Sequence, residues 1–494
     1  MKPAGNLVAQ GVWARSRAPF AAAGALLLAV FVLGGSSKDY VPGLLVIRPL
    51  AVLTLAVGLY SFTREDWQRF KLPLAFMAAT LGLIALHLVP LPPALWMALP
   101  GRELAVAAGE AAGIEQPWRP ITLVPYRGWN AFYATLVPAA VLVCAVQLER
   151  DQHRALALLI LGGALLSAVW GAVQSVSGYA PWTFFYGLPR VEVPNGLFAN
   201  RNHLAAFLVA SLPLFALIAS RAKGPRATIW ITGCVALAAF AVMIALTTGS
   251  RAGMALTVLG LAASYLVWRS RPSHTIARRR TTKNQAWMPY AFGAFGLTTL
   301  VLFALLITQT TGFERLLSAG SGEVEEYRFI VWRTIIRFAP DYLPMGSGIG
   351  SFIEIFKVHE PDEMLGQSYW NHAHNDWLEW AMEGGIPAIA LMVIAVFAWA
   401  ARALALVQNS HLGRVETQLG LAGAIILFIL GAWSLVDYPM RTPALASLAA
   451  LCAVWMASPA AVSRFAEKAP GQAPDSEVNR GFARPDGGPE GATR

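Results

Sequence analysis

Residues 227–247, ATIWITGCVALAAFAVMIALT, form an apolar run that contains no charged side chain. A helix that crosses the hydrocarbon core of a bilayer needs about 20 consecutive, predominantly apolar residues. The run has that length and composition, so it predicts a membrane-spanning helix.

Similar runs recur along the whole chain. They lie near 18–36, 41–61, 72–90, 129–148, 154–176, 203–220, 252–268, 287–308, 385–405, 417–436 and 441–457. Across its 494 residues the chain is 56% hydrophobic and only 13% charged, against about 25% charged in ordinary soluble domains. This excludes a set of soluble domains, a disordered chain and a disulfide scaffold. We predict an all-α polytopic membrane protein with about 12 transmembrane helices.

Cys144, Cys234 and Cys452 each lie inside an apolar run, which predicts that they are small core residues.

The positive charges predict the orientation. Twelve spans place both termini on one side, and if that side is the cytoplasm, 24 of the 38 Lys and Arg residues fall there. The richest segment, 269–286, is interpreted as a topology anchor rather than a nucleic-acid site. We therefore expect a multi-pass membrane protein with both termini cytoplasmic.

The loops on the opposite, outer side suggest a division of the chain. Residues 1–190 would form the N-terminal transmembrane helices, and 191–440 a core that includes a long loop over 309–384. Residues 441–462 would form the last span, and 463–494 a disordered cytoplasmic tail, since they are rich in Gly, Pro, Ala and charge. A structureless loop as long as 309–384 is unusual, so we expect it to contain short helices and the active site.

Three arginines stand beside spans on the side where positive charge should be scarce. Arg201 lies in the sequence NRNH, Arg251 in TGSR, and Arg328 opens a short amphipathic segment in the long loop. The arginine side chain stays charged and can bind phosphate oxygens with two parallel hydrogen bonds. Together these arginines predict a site for a diphosphate at the membrane interface. The alternative is that they only anchor helix ends by snorkelling.

A polar segment, Asn371–Asp376 (NHAHND), precedes the span near 385–405. Histidine can take a proton from a hydroxyl that attacks, and a nearby carboxylate can orient it. His374 and His372 are therefore the catalytic candidates. The residues expected to support the site are Asn202, Asn371, Asn375, Asp376, Glu379 and Glu383, of which the three acids share one helical face. A metal site and a purely helix-capping role are the alternatives.

Two further features receive structural interpretations. The sequence GSGIGSF over 346–352 lacks the lysine of a phosphate-binding loop and predicts a turn. Asp437 and Arg441 flank Tyr438-Pro439 at another outward turn. We expect them to form a local ion pair, and the alternative is that they form the rim of the site.

The order of these motifs resembles a known family. NRNH before a span, GSR before a span, YR leading to a GxG turn, and then HAHNDWLEWAMEGGIP are similar to the O-antigen ligase and polymerase family of bacterial envelope enzymes. The resemblance covers about residues 190–440.

The resemblance implies a metal-independent, inverting membrane glycosyltransferase with a GT-C-like fold and no cofactor. The chain would lie in the bacterial inner (cytoplasmic) membrane, and the donor would be a glycan on undecaprenyl diphosphate, used on the periplasmic side. His374 would be the base, and Arg201, Arg251 and Arg328 would bind the diphosphate. We favour polymerisation of lipid-linked repeat units of O-antigen or exopolysaccharide, with the growing glycan as acceptor. The alternatives are a ligase that uses lipid A core as acceptor, and a transporter or flippase of lipid-linked glycan. Expected partners are membrane lipids and other polysaccharide assembly proteins, with no nucleic acid.

Overall fold

A computed structural model describes residues 5–187, 192–271, 322–366 and 369–458. The predicted span near 287–308 and the predicted tail over 463–494 lie outside the described residues. Within the described residues, ten helices are long and apolar enough to cross a membrane. An eleventh apolar helix of 15 residues follows the last of them. The predicted all-α polytopic membrane protein is thereby confirmed.

The long helices coincide with the apolar runs of the sequence. They are α1 (Gly5–Leu33), α2 (Leu44–Ser61), α4 (Lys71–Leu88), α7 (Pro125–Ala145), α8 (Arg150–Val176), α9 (Arg201–Ser220), α10 (Ala227–Thr247), α11 (Arg251–Arg269), α14 (Asp376–Gln408) and α15 (Val415–Trp433), with the shorter α16 (Pro443–Ala457) after them.

Shorter elements fill the loops. The helices are α3 (Arg64–Arg69), α5 (Pro93–Trp96), α6 (Glu103–Ala111), α12 (Gly322–Phe338) and α13 (Phe352–His359), and the strands β1 (Pro90–Leu91) and β2 (Arg119–Pro120) pair antiparallel. Because α12 and α13 lie within 309–384, the described part of the long loop does contain short helices, as predicted.

Helix α9 forms the centre of the bundle. In its most apolar window 89% of the residues are buried, whereas in α14 the corresponding share is 6%. Since α14 exposes large apolar side chains such as Ile386 and Phe397, its outer surface suits contact with lipid. The main hydrophobic core joins α9 to residues of α1, α2, α7, α8, α15 and α16. All three cysteines are free and buried there or beside it, as predicted.

Several loops meet at one end of the bundle, which we call the loop face. The amide of Ala199 donates to the carbonyl of Gly35, and the amide of Ala444 donates to that of Gly34, over 3.0 and 3.2 Å. The start of α9, the start of α16 and the end of α1 therefore lie together. Helices α12 and α13 pack over this face around a second hydrophobic core, which includes Val331 and Met382.

A kink in α14 shapes the loop face. The helix begins at Asp376, nine positions before the start of the predicted span, and bends at Gly385, which has φ 60° and ψ −149°. A Cβ at Gly385 would overlap the carbonyl oxygen of Pro344, so only glycine suits this bend. The kink separates a first segment, 376–384, from the apolar remainder of the helix.

Candidate active site

The polar residues singled out in the sequence converge on the loop face. The first segment of α14, the start of α9 and the loop 434–442 between α15 and α16 contribute to the cluster, and α12 lies beside it. These elements are far apart in sequence, and the packing of the helices brings them together.

The backbone of Ala373, which lies between the two histidines, is held by hydrogen bonds at both its amide and its carbonyl. Ala373 is fully buried. Its amide donates to Glu379 Oε2 over 2.8 Å, and its carbonyl accepts from Trp332 Nε1 over 2.8 Å. Asn375 caps α14 by accepting from the amide of Leu378 at 3.0 Å. The histidines on either side of Ala373 are thus held by anchored backbone.

His374 pairs with a buried aspartate that lies 63 positions further along the chain. Its Nδ1 is 3.2 Å from Asp437 Oδ1, and the Asp437 side chain is only 1% exposed. Asp437 also accepts from its neighbour's amide, Tyr438 N, over 3.0 Å, and from the Asn202 side chain. Because a carboxylate can only accept, Nδ1 of His374 carries the proton, and Nε2 is the nitrogen that can take up another.

The pKa values of this pair follow from burial and from neighbouring charges. Burial lowers the pKa of His374, the Asp437 carboxylate opposes that effect, and Arg328 lowers it again, so the pKa lies below its ordinary value. For Asp437, burial alone would raise the pKa, but the hydrogen bond to His374 and the charges around it hold the pKa well below its usual range. At neutral pH the pair is a neutral imidazole beside a carboxylate.

His372 pairs with a different acid. Its Nδ1 is 2.9 Å from Glu379 Oε1, and Glu379 is 1% exposed. The side chains of His372 and His374 are each 15% exposed, so each ring is largely enclosed without being sealed from solvent.

Arg441 gathers the three acids of α14. Its guanidinium lies 3.2 Å from a Glu379 oxygen, 3.3 Å from Glu383 and 3.4 Å from Asp376. The prediction that the acids share one helical face is confirmed. The expected Asp437–Arg441 ion pair is wrong, because each residue has other partners. Both lie in the same loop, but Asp437 turns toward His374 and Arg441 toward α14.

The three candidate arginines lie at two separate places, one beside the histidines and one at the turn before α11. Arg328 Nη1 donates to the carbonyl of Val436 over 3.2 Å, which places it beside Asp437. Arg201 Nη1 donates to the carbonyl of Thr248 over 3.2 Å, in the turn that leads to Arg251 at the start of α11. The structure therefore joins Arg328 to the histidine cluster, and Arg201 to the turn that carries Arg251.

Two aromatic rings of the cluster were not predicted from the sequence. The Tyr438 ring lies 4.4 Å from His372, 4.7 Å from His374 and 5.0 Å from His203, between ring centroids. The Tyr438 hydroxyl accepts from Asn200 at 3.5 Å and also bonds Asn371. His203, which is 1% exposed, approaches Asp437 Oδ1 to 4.0 Å. The sequence contains one signal for these two rings: the polar stretches NRNH, which contains His203, and DYP, which contains Tyr438, interrupt apolar surroundings.

The acids and histidines are engaged mainly with one another and with Arg441. In the part of the chain that the structure describes, no three or more His, Cys, Asp or Glu residues are grouped so as to hold a metal ion. The arrangement is that of a proton acceptor with nearby guanidinium groups, which suits the deprotonation of a hydroxyl and the binding of an anion.

Comparison with known families agrees with this geometry. Residues 236–393 match the model of a family described as O-antigen ligase. The match includes Arg251, Arg328, His372 and His374, and it ends before Asp437. A search of curated proteins finds no match. The resemblance to the O-antigen ligase and polymerase family is confirmed over that region.

Proposed function

We propose that this chain is a membrane glycosyltransferase of the O-antigen ligase and polymerase type, and that it transfers a glycan from undecaprenyl diphosphate to a hydroxyl acceptor. The match of residues 236–393 to the O-antigen ligase family supports the proposal. The observation that carries the proposal is the buried His374–Asp437 pair with Arg328 beside it. The reaction would take place on the periplasmic side of the bacterial inner membrane, with both termini in the cytoplasm. By the predicted sides, 24 of the 38 Lys and Arg residues lie on the cytoplasmic side, which supports that orientation.

His374 is the general base of the proposed reaction. Asp437 holds Nδ1 protonated, so Nε2 accepts the proton of the acceptor hydroxyl while its oxygen attacks the anomeric carbon. The carbon–oxygen bond to the diphosphate breaks on the opposite side, which inverts the anomeric configuration. The low pKa of His374 keeps the ring neutral and ready to act at pH 7.

Arginines stabilise the charge of the departing diphosphate in this proposal. Arg328 has a buried Nε with no hydrogen-bond partner among the described residues, which leaves that donor for an anion. Arg201 and Arg251 lie at one turn of the loop face and would hold the rest of the lipid diphosphate. Guanidinium groups that are fixed before the reaction stabilise developing negative charge without a metal ion.

Polymerisation of lipid-linked repeat units of O-antigen or exopolysaccharide is the reaction we favour. Ligation to lipid A core uses the same donor chemistry and differs only in the acceptor, and the description of the matched family supports it as the second candidate.

Glycan transfer by the purified protein tests the proposal. The protein in nanodiscs would receive a synthetic undecaprenyl-diphosphate oligosaccharide, EDTA, and either more of the same donor or lipid A core. A ladder on the gel in the first case indicates a polymerase, and a single shifted band in the second indicates a ligase. His374→Ala should lower turnover about 10²- to 10⁴-fold, since it removes a general base, while His411→Ala, at an exposed site, should not. No transfer to either acceptor by folded protein would refute the proposal.

A further inference from the structure

The loop face carries a second pair of arginines, near the starts of α2 and α7. Arg48 is the fifth residue of α2, and its Nη2 donates to Oδ1 of Asn130 on α7. Arg127 lies three positions before Asn130, on the same side of α7. Its Nη1 and Nη2 each lie 3.4 Å from a carboxylate, that of Asp39 and that of Glu354. Both arginines lie outside the residues that match the O-antigen ligase family, and the reaction derived above does not use them.

This arginine pair holds more positive than negative charge. The Asp39 carboxylate acts electrostatically on Arg48 as well as pairing with Arg127. Glu354 is shared between Arg127 and Lys357, whose Nζ lies 3.1 Å from it. In the described part of this network, three cations thus share two carboxylates. The Nε atoms of Arg48 and Arg127 are buried, and no described group accepts a hydrogen bond from either. An added anion would offset the surplus charge and supply acceptors.

The surface beside the arginine pair suits a lipid. Trp129 and Tyr133 of α7 are exposed and stack with their ring centroids 5.9 Å apart, and Tyr133 lies within electrostatic range of Arg48. Leu45 and Val52, three positions before and four after Arg48, are exposed on the same face of α2. Amphipathic aromatic rings are enriched where lipid headgroups meet the hydrocarbon core. A lipid with an anionic headgroup would therefore place its charge at the arginines and its chain along α2.

A short chain of contacts connects the arginine pair to the histidine cluster. Arg441, which gathers the acids of α14, lies 3.3 Å from Oε2 of Glu383. Oε1 of Glu383 accepts from the amide of Phe352, at the start of α13, over 3.0 Å. Two positions further along α13, Glu354 pairs with Arg127. A ligand at the arginine pair would therefore lie on the same face as the histidine cluster, at a separate position.

We propose that Arg48 and Arg127 bind the phosphate groups of the lipid-anchored acceptor. The inference rests on the proposed glycosyl transfer, in which Arg201, Arg251 and Arg328 are occupied by the departing diphosphate. In polymerisation the donor and the acceptor each carry a diphosphate on a membrane lipid, so two such groups must be held at once. A second cationic site at the depth of the headgroups holds the acceptor lipid, and this helps to align its hydroxyl with the anomeric carbon of the donor.

Kinetics with separate donor and acceptor test the assignment. A donor whose acceptor hydroxyl is methylated cannot be extended, and an acceptor whose sugar is joined to the diphosphate through a carbon–phosphorus bond cannot act as donor. Arg48→Gln and Arg127→Gln should each raise the KM of the acceptor about 10- to 100-fold, since each loses charged hydrogen bonds to phosphate. The KM of the donor and kcat should stay within twofold. Arg337→Gln, at an exposed position of α12, is the matched control and should change none of these values.

An acceptor without phosphate separates a phosphate contact from a structural effect. The same glycan on an uncharged prenyl alcohol should have a high KM in the wild type, and Arg48→Gln and Arg127→Gln should not raise it further. Glu354→Gln should act in the opposite direction. It removes a carboxylate that competes with phosphate for Arg127, so the KM of the diphosphate acceptor should fall about two- to fivefold. Should Arg127→Gln not fold, Arg48→Gln and Glu354→Gln decide.

The outcomes separate this inference from the proposed function. Binding of the fluorescently labelled, carbon-linked acceptor analogue needs no turnover, so it is measured even if the wild type transfers no glycan, a result that refutes the proposed function. Weaker binding by the arginine variants supports the inference in either case. Equal binding by the wild type and folded Arg48→Gln, or an equal effect of the variants on the uncharged acceptor, would overturn it. Displacement of the analogue by an equimolar amount of phosphatidylglycerol would also overturn it, because the site would then belong to a phospholipid.

Discussion

The substitution Asp437→Asn should remove the negative charge beside His374 while it keeps the hydrogen bonds between the two side chains. Asparagine can keep an oxygen at the Oδ1 position, where it accepts from His374 Nδ1 and from the amide of Tyr438. The new amide group then faces Asn202, whose own amide can rotate to present its oxygen. The substitution therefore removes one negative charge while the hydrogen bonds persist.

The magnitude follows from the distance and the burial. Asp437 is 1% exposed, and its Oδ1 is 3.2 Å from His374 Nδ1. Two unit charges about 4 Å apart interact by about 4 kcal/mol at an effective dielectric constant of about 20. That attraction exists only once His374 has taken up the proton, so it belongs to the transition state. Losing most of it should lower kcat about 10²- to 10³-fold.

The pH dependence supplies a second readout. The Asp437 carboxylate raises the pKa of His374 against the effect of burial, so its removal should lower that pKa further. Transfer requires the neutral ring and is lost as the pH falls through the His374 pKa. The acid side of the profile should therefore move to lower pH in Asp437→Asn, even as the maximal rate drops.

The assay is initial-rate glycan transfer in nanodiscs between pH 5 and 9, with folding checked by thermal denaturation. Asp362→Asn makes the same chemical change at an exposed position and is the matched control. Folded Asp437→Asn with a rate within twofold of the wild type, and an unshifted acid side, would refute the assigned role of the aspartate.

Two further predictions concern stability. Arg441→Met leaves three buried carboxylates without their shared cation and should destabilise the fold by about 3–5 kcal/mol, measured as a lower melting temperature in detergent. Arg337→Met, at an exposed position of α12, is the control, and equal melting of the two variants would contradict the argument. Gly385→Ala places a side chain at a positive φ against the Pro344 carbonyl and should cost about 1–3 kcal/mol. A melting temperature equal to that of Gly82→Ala, where a Cβ meets no atom within 4 Å, would show that the kink tolerates a side chain.

Most of the membrane fold could be predicted because the bilayer imposes a simple rule. Each described span coincides with an apolar run of about 20 residues, since a shorter or more polar helix could not cross the hydrocarbon core. The start of α14 was predicted less well. The segment 376–384, which carries three acids, is helical too. The bend at Gly385 depends on the nearby Pro344 backbone, and the hydrophobic pattern of the sequence carries no information about that contact.

The histidine segment could also be recognised early. His372, His374 and the acids that follow are polar residues beside a span, and the seven-residue step from His372 to Glu379 is short enough for local sequence to suggest contact. His374, in contrast, pairs with an aspartate from another loop. Asp437 and Arg441 are four positions apart and of opposite charge, so proximity in sequence predicted the wrong pair.

The sequence by itself determined that this chain crosses the membrane many times, and it singled out His374, His372 and a few arginines as the candidates for its chemistry. Only the tertiary structure decided which acid serves which histidine. The reason is physical: a buried charge must find a partner, and the partner available depends on which helix ends meet at the loop face. Helices α9 and α14, the end of α15 and the start of α16 are joined there by packing, and no periodicity in the sequence encodes that meeting.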